Sequence, residues 1–295
     1  CKYFGLRTTD IDYSSLTNKL KSKELFVKSG MLTPTIAATF ENCDQLLNYS
    51  EVGSRKSRFI VKPVSSNNSQ GVFFTNHLGG RSMTADLPNR GHKFFVEDTV
   101  TDFQRIINID GLVINGIYKP IIATARVVDD FDPTKNICFV QPAPFLSEIR
   151  LKELHAQVAQ VADLAGLRNG PITVDFIETT SGEFVALEMS PHFNCIASTV
   201  LKLGFHPLVE LLAEDSSAGS QAFQELPYVG SQQIFCALTE DLGQIHRSLD
   251  ALVSAGVLLD MVPLWKPYND DSVCAGVIWF ESFSVDELSE TIKNF

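Results

Sequence analysis

The sequence predicts an α+β fold in which paired antiparallel strands predominate and helices lie between them. The first observation is the segment VDFIETTSGEFVALEMSP, residues 174–191, in which a tight polar turn joins two apolar stretches. The second is the segment 103–128, in which apolar stretches surround Asp-Gly and Asn-Gly dipeptides, both strong hairpin signals. The third is the spacing of apolar residues in 147–166, which is typical of an amphipathic helix.

The first half of the chain supplies one helix and several strands. Apolar positions within 14–29 follow the helical spacing, and Gly30 and Pro34 then act as stop signals, so a single helix is expected. The stretches 59–64 and 72–75 read as strands on either side of the polar loop SSNNSQG, and 93–100 reads as a further strand. In 103–128 the predicted turns fall at Asp110-Gly111 and Asn115-Gly116.

The second half continues the same alternation. A helix is expected from Ser147 to Gly166, the hairpin 174–191 follows, and another helix is expected over about 195–213. The small polar segment 214–221 is the best linker candidate. We therefore place a core in 1–225 and a separate C-terminal α+β unit in 226–295, which contains strands, the helix 240–256 and a short final helix.

Composition restricts the function classes. The chain has 295 residues, of which 44% are hydrophobic and 20% charged, as in soluble globular proteins. A net charge of −11 argues against a nucleic-acid partner, because phosphate backbones require clustered lysine and arginine. No apolar run reaches the ~18 residues that cross a bilayer, and the first residues do not resemble a secretory signal. We expect no membrane association.

The six cysteines indicate the compartment. They are scattered, without CxxC pairs or metal-finger spacing. A core of this size does not need disulfides, so single reduced thiols in the cytoplasm are favoured over disulfide bonds.

The hairpin 174–191 carries two acids in otherwise apolar strands. If Ser181 and Gly182 form a two-residue loop, Asp175 lies directly opposite Glu188, with Cβ atoms roughly 5 Å apart, where like charges destabilise a sheet. A four-residue loop keeps both acids on one face, and only an odd loop separates them. Three explanations remain open: a solvent-exposed polar face, a carboxylate pair sharing a proton, or a divalent cation bound between the acids.

A phosphate site elsewhere in the chain would favour the cation. The segment FIVKPVSSNNSQGV, residues 59–72, places Lys62 in an apolar strand before a loop of small polar residues that ends at Gly71. Such a loop can hold phosphate oxygens with its backbone N–H groups and hydroxyls while the lysine supplies a positive charge. A solvated hairpin is the alternative, and the segment is not a Walker P-loop.

The order of these motifs resembles the ATP-grasp family of ligases. An early helix with a lysine, Lys62 through Val72, the FVED strand, and GPITVDF…GEFVALEMSPHFN carry the resemblance, which covers most of residues 5–200. It implies an ATP-grasp fold, in which two α+β lobes enclose a nucleotide, with a lid lobe over about 35–97 and a metal-binding lobe over about 98–225. A Rossmann-like domain normally precedes such a core, and we expect it to be missing from this sequence.

The resemblance also implies roles for individual residues. Lys19 and Lys62 would hold the phosphates, the loop from Ser65 would close over them, and Glu97 would accept from the adenine amino group. The implied nucleotide-binding residues are Lys19, Lys62, Ser65, Ser69, Gly71, Val72, Glu97, Asp98, Val100 and Asp102. The implied metal ligands are Asp175, Glu188 and Ser190, for Mg²⁺ with Mn²⁺ as the alternative.

The sequence departs from the family after Glu188. Where the family has Glu-x-Asn-Pro-Arg, this chain has Glu188-Met-Ser190-Pro-His192, so a neutral serine replaces a metal ligand and a histidine replaces a phosphate-binding arginine. Asn194, two residues later, could compensate. Either the site is altered but active, or it is slow or inactive.

The resemblance implies activation of a carboxylate as an acylphosphate, followed by transfer to an amine. Residues 141–171 and the C-terminal unit resemble the carboxylate–amine ligase branch, which includes L-amino-acid ligases. Lys62, Arg126 and His192 are the expected catalytic residues, and Arg105 is a second candidate for gripping the carboxylate. Cys195 is expected to be a buried spectator, and His77, His92, His155, His206 and His246 are expected to lie on the surface or in a satisfied core.

Two other hypotheses are kept. One is a nucleotide-binding pseudoenzyme or regulatory module without turnover. The other is a thiol or bicarbonate ligase on the same fold, which would differ only in the acceptor pocket. Expected partners are ATP and small carboxylic acid and amine substrates, with amino acids favoured, and a homodimer is kept as an alternative to a monomer.

Overall fold

The structure is a computed structural model. It describes residues 14–48, 59–65, 72–74, 93–128, 136–192, 228–237, 241–254, 260–267 and 272–282. The helices of these residues are α1 (Ser14–Thr17), α2 (Lys19–Lys28), α3 (Cys43–Leu47), α4 (Glu148–Leu164) and α5 (Leu242–Ser254). The first strands are β1 (Ile36–Phe40), β2 (Phe59–Pro63), β3 (Phe73–Phe74), β4 (Phe94–Asp98), β5 (Phe103–Ile114) and β6 (Ile117–Val128). The others are β7 (Asn136–Gln141), β8 (Gly170–Thr179), β9 (Phe184–Ser190), β10 (Tyr228–Ala237), β11 (Asp260–Pro267) and β12 (Ser272–Ser282).

The strands form two antiparallel sheets. The small sheet has the order β1-β4-β2-β3, and the large sheet has the order β11-β12-β10-β7-β6-β5-β8-β9. Strands β10, β11 and β12, which belong to the predicted C-terminal unit, extend the large sheet, because β10 pairs with β7. The limits of the domains stay a prediction, and the proposed linker 214–221 and the helix 195–213 lie outside the described residues.

The N-terminal helix begins anew at Lys19, so the expectation of one continuous helix over 14–29 is wrong. Asn18 has an extended backbone, and its side chain accepts hydrogen bonds from the backbone N–H groups of Leu20 (3.0 Å) and Lys21 (3.2 Å). Asparagine is a preferred N-cap residue because it satisfies N–H groups that have no partner inside the helix. The cap makes Lys19 the first residue of α2.

The predicted turn at Asp110-Gly111 is also wrong. These residues lie within β5, where the pairing with β6 shifts by one position between them. The hairpin turns at Asn115 and Gly116 alone, both with positive φ, 54° and 78°. Gly111 is required for another reason: a Cβ added there would overlap the ring of Tyr118, which covers the glycine.

The large sheet has one apolar and one polar face. Helix α4, whose N-cap is Ser147, packs its buried residues on the apolar face, against side chains such as Ile107 and Ile109 of β5. The alternate residues of β5, Asn108 and Asp110, are buried and polar. Because successive side chains of a strand point to opposite faces, these two belong to the face opposite α4.

One histidine of α4 is half-buried and hydrogen-bonded. His155 lies under the sheet with its Nδ1 atom 2.7 Å from the hydroxyl of Tyr118. Burial lowers the pKa of His155 to about 4, and it raises the pKa of Tyr118 well above its ordinary value, with Asp110 adding to the rise. His155 is thus a half-buried, hydrogen-bonded histidine, between the surface and satisfied-core positions that were expected.

The segment from α2 to β1 connects the two sheets. The backbone N–H of Asp98 in the small sheet donates to the carbonyl of Thr35 (3.0 Å). In the large sheet, Ala186 of β9 donates its N–H to the carbonyl of Leu32 (2.8 Å) and accepts from the hydroxyl of Thr33 (2.8 Å). Among the described residues, no helix is both long and apolar enough to span a bilayer.

Candidate functional site

A row of polar side chains crosses the face of the large sheet opposite α4. The row runs over five neighbouring strands, from β7 to β9, and comprises Gln141, Thr124, Asn108, Asp175 and Glu188. All but Glu188 are buried, and the amide of Gln141 donates to the hydroxyl of Thr124 (2.6 Å). Buried polar groups in such a row must be paired with one another or with a ligand.

Asp175 and Glu188 lie opposite each other, but not through the predicted loop. Glu178 pairs with Phe184, and the N–H of Thr179 donates to the carbonyl of Glu183 (2.9 Å). The hairpin therefore has a three-residue loop rather than the two-residue Ser181-Gly182 turn. An odd loop alone would place the two acids on opposite faces. A β-bulge, in which Leu187 is the additional residue, shifts the pairing between Asp175 and Phe176 and brings Asp175 opposite Glu188.

Asp175 is held by an arginine and an asparagine of the same face. Arg126 places Nη2 2.5 Å from Asp175 Oδ2 and donates from Nε to Asn108 Oδ1 (2.6 Å). The amide of Asn108 donates in turn to Asp175 Oδ1. Burial raises the pKa of Asp175, Arg126 opposes the rise, and the facing Glu188 adds to it.

Glu188 has a different environment. Lys19 of α2 places its Nζ 3.0 Å from Glu188 Oε2. Burial opposes ionisation, but Lys19 and then Lys62 outweigh it and hold the pKa of Glu188 at about 2. The N-cap at Asn18 fixes where α2 begins and so brings Lys19 to this carboxylate. The two facing acids thus differ, with Glu188 held as a carboxylate.

A second set of charged side chains surrounds Glu97. Glu97 of β4 is 1% exposed and lies between two lysines: Lys62 Nζ is 2.5 Å from Oε1, and Lys23 Nζ is 3.0 Å from Oε2. Burial would raise the pKa of Glu97, but Lys62 and then Lys23 lower it. Sequence reasoning missed Lys23, although it follows Lys19 by four residues and so shares its helix face.

The other predicted nucleotide-binding residues are only partly described. Ser65 and Val72 follow β2 and precede β3, whereas Ser69 and Gly71 lie outside the described residues. Val100 and Asp102 belong to the short connection from β4 to β5, and the Asp102 carbonyl accepts from the N–H of Thr180 (2.8 Å). The backbone N–H of Asp98, another residue of the implied nucleotide-binding set, donates to the carbonyl of Thr35.

The residues after Glu188 lie at the end of the same strand. Ser190 is the last residue of β9, opposite Thr173. His192 is exposed, and its carbonyl accepts a hydrogen bond from the hydroxyl of Thr173 (2.6 Å). Asn194 and Cys195 lie outside the described residues.

Arg105 does not lie on the polar face with Asn108 and Asp175, contrary to the expectation that it grips the carboxylate. It pairs with Glu178 (3.2 Å), and its guanidinium lies 3.9 Å from the centre of the Phe145 ring. Phe145 packs against the core under the sheet, on the face away from Asn108. Arg105 precedes Asn108 by three positions. An odd number of positions along a regular strand places side chains on opposite faces.

The donor set suits a magnesium ion brought by a phosphate ligand. Asp175 and Glu188 present carboxylates from neighbouring strands, and Mg²⁺ binds through one or two carboxylates completed by substrate phosphates and water. Within the described part of the chain, no group of three or more His, Cys, Asp or Glu side chains could hold a metal by itself. The remaining ligands would come from the nucleotide, water or Ser190.

Comparison with known proteins gives the fold. No family model and no curated protein matches the sequence. The L-amino acid ligase from Bacillus licheniformis superposes with a TM-score of 0.71 at 15% identity, over 99% of this chain and 75% of that one. The ADP complex of purK, N5-carboxyaminoimidazole ribonucleotide synthetase, gives 0.69 at 17% identity, over 95% of this chain and 71% of that one.

A third solved structure extends the comparison to another reaction. The biotin carboxylase domain of 2-oxoglutarate carboxylase from Hydrogenobacter thermophilus, in complex with MgADP, ADP and bicarbonate, gives a TM-score of 0.63 at 13% identity. It is matched over 94% of this chain and 65% of that one. At these identities the likeness establishes the architecture, and the α+β prediction is confirmed: the chain has the ATP-grasp fold.

Proposed function

We propose that this chain binds ATP with Mg²⁺ and joins a carboxylate to an amine, with an amino acid as the favoured substrate. The observation that carries the proposal is the facing pair Asp175 and Glu188, surrounded by Lys19, Lys62 and Arg126 on one face of an ATP-grasp fold. Two carboxylates and three cations at one place suit a ligand that combines a triphosphate with a divalent metal.

The proposed reaction has two steps. A carboxylate oxygen of the first substrate attacks the γ-phosphorus of ATP, the bond to the β–γ bridging oxygen breaks, and ADP leaves with that electron pair. The amine of the second substrate then attacks the acyl carbon of the acylphosphate, phosphate leaves, and the amine loses a proton. Such transfers depend mainly on positioning and on stabilising charge at the transferring oxygens.

The residues of the chain would divide this work. Asp175 and Glu188 would hold the metal, which neutralises phosphate charge when bound, and Ser190 would add a neutral oxygen. Lys19 and Lys62 would turn from their present carboxylate partners to the phosphates. Arg126 would bind the substrate carboxylate or the acylphosphate, because its planar fork suits both. His192 would stand near the phosphates where the family has an arginine.

ATP binding and turnover can be tested separately. Calorimetric titration with MgATP measures binding, and phosphate release with pairs of amino acids measures ligation. We expect MgATP binding in the wild type and phosphate release that needs both an acid and an amine. Glu188→Gln should abolish turnover. Glu183→Gln, beside the loop of the same hairpin, is the matched control and should not abolish turnover. Turnover with bicarbonate alone would indicate the bicarbonate ligase instead.

A nucleotide-binding module without turnover is the second candidate. Ser190 and His192 favour it, because they weaken the metal and phosphate ligands that the resemblance implies. This candidate predicts MgATP binding without release of phosphate for any acceptor. It also predicts that Glu188→Gln weakens binding only modestly.

A further inference from the structure

The Lys23–Glu97–Lys62 cluster contains one more cation than Glu97 needs. Glu97 offers each of its oxygens to a different lysine, at 3.0 Å from Lys23 and 2.5 Å from Lys62. A single lysine would neutralise this carboxylate. Burying a second ammonium group, here 3% exposed, carries a desolvation penalty that the shared carboxylate only partly offsets. The additional charge therefore calls for an explanation beyond the pairing of Glu97.

The charge count of the ion-paired groups of the site supplies that explanation. Its ion pairs comprise four cations and three carboxylates: Lys19, Lys23, Lys62, Arg126, Glu97, Asp175 and Glu188. The set therefore carries one net positive charge, inside a chain whose net charge is −11. Without Lys23 the same set would be neutral. An anion that approaches the site would then meet no net attraction from it.

The position of Lys23 argues against direct contact with a ligand as its main contribution. It is more deeply buried than Lys62, and it lies on the other oxygen of Glu97. Burial lowers the pKa of Lys23 to about 8, and Glu97 opposes the fall, so the group keeps its charge at neutral pH. Lys62, in contrast, is on β2 immediately before the Ser65 segment, and it is reached by the charges of both Glu188 and Asp175.

We propose that Lys23 is a positioning residue of the nucleotide site: it stays as an ion-pair partner of Glu97, so that Lys62 can turn to a triphosphate while the ion-paired groups keep a net positive charge. This inference rests on the proposed function. It assigns to Lys23 an effect that scales with the charge of the ligand, because a buried charge acts through space on other charges. A merely structural Lys23, which anchors α2 to β4, would affect all ligands of the site alike.

The test is Lys23→Met, with affinities measured by calorimetry for MgATP, MgADP, AMP and adenosine. We expect affinity for MgATP to fall about tenfold or more, MgADP to fall less, and adenosine to change less than about twofold. Lys23→Arg should restore the wild-type affinity. Lys28→Met, which removes a lysine in the last turn of the same helix, is the matched control and should leave all four affinities unchanged.

A double variant tests the charge count itself. Lys23→Met with Glu97→Gln again leaves one net positive charge among the ion-paired groups. Because Glu97 is also the expected acceptor of the adenine amino group, the quantity compared is the ratio of MgATP affinity to adenosine affinity, and this ratio should recover most of its loss. An equal loss for adenosine and MgATP, or no recovery in the double variant, would overturn the inference. If the wild type binds MgATP and Lys23→Met binds it equally well, the inference alone fails. If the wild type does not bind MgATP, the proposed function fails as well.

Discussion

Asp175 and Glu188 face each other across a hairpin whose loop, by itself, would separate them. The bulge at Leu187 compensates for the odd loop, so the two acids share one face, where Arg126 pairs with Asp175 and Lys19 pairs with Glu188. Two carboxylates directly opposite each other destabilise a sheet unless cations offset them. Each acid here has its own cation, and the two pairs differ in burial.

The difference in burial predicts unequal costs for the two acids. Either change relieves the repulsion between the acids and leaves one cation without its carboxylate, so the difference lies in the carboxylates. Asp175→Asn changes a side chain that is 9% exposed, and we expect a loss of about 2 kcal/mol. Glu188→Gln changes a side chain that is 34% exposed, and we expect about 1 kcal/mol or less. Urea unfolding of both variants measures the two free energies. An equal or larger loss for Glu188→Gln would contradict this account.

The two arginines of strands β5 and β6 should behave differently. Arg126→Lys should lower phosphate release at least about tenfold, because lysine cannot contact Asn108 and Asp175 together through a planar fork. Arg105→Lys should change turnover less than about twofold and cost about 0.5 kcal/mol, because its contacts are with Glu178 and Phe145 on the other face. Steady-state kinetics and urea unfolding on the same preparations separate the effects. A large kinetic loss at Arg105 would show that it reaches the substrate.

His155 should make stability depend on pH. Its pKa is about 4 in the folded protein, below the ordinary 6.5, so the unfolded chain binds a proton that the folded protein does not. This contribution is fully present above pH 6.5 and is lost as pH falls toward 4, at up to about 3 kcal/mol in total. The measurement is the free energy of unfolding between about pH 4.5 and 7.

Two variants isolate the histidine. His155→Phe should flatten the rise of stability with pH in this range. Tyr118→Phe removes the hydroxyl partner but keeps the imidazole buried, so the pH dependence should persist. If His155→Phe and the wild type show the same slope, the histidine is not the group responsible.

Gly111 should not tolerate a side chain. Gly111→Ala would drive a Cβ into the ring of Tyr118, and we expect a loss of about 1–3 kcal/mol. In a Tyr118→Val background the same substitution should cost far less, because the ring is absent. Thermal or urea unfolding of the four proteins of this cycle gives the coupling. Equal costs in both backgrounds would exclude the ring as the cause.

The sequence predicts the site better than it predicts the path of the chain around it. The alternation of the two strands predicts that Asp175 and Glu188 share a face if the loop has an even number of residues, and the structure places them opposite each other through an odd loop and a bulge. The loop and the bulge could not be predicted, since each shifts the register by one residue and the two shifts cancel.

Other errors have one physical origin. The Asp110-Gly111 pair has the local signature of a turn, but its glycine is required by the ring of Tyr118 on the next strand. The side of the sheet on which Arg105 lies depends on the parity of a strand whose start the pattern does not fix. Lys23 is one of several lysines in α2, and only its contact with Glu97 of β4 distinguishes it.

The hydrogen bonds of the segment from Leu32 to Thr35 have a consequence for motion. This short stretch is hydrogen-bonded to Ala186 on one side and to Asp98 on the other, so the two sheets cannot separate at this point without breaking those bonds. The backbone amides of Asp98 and Ala186 are accordingly natural NMR reporters of any closure around a bound molecule.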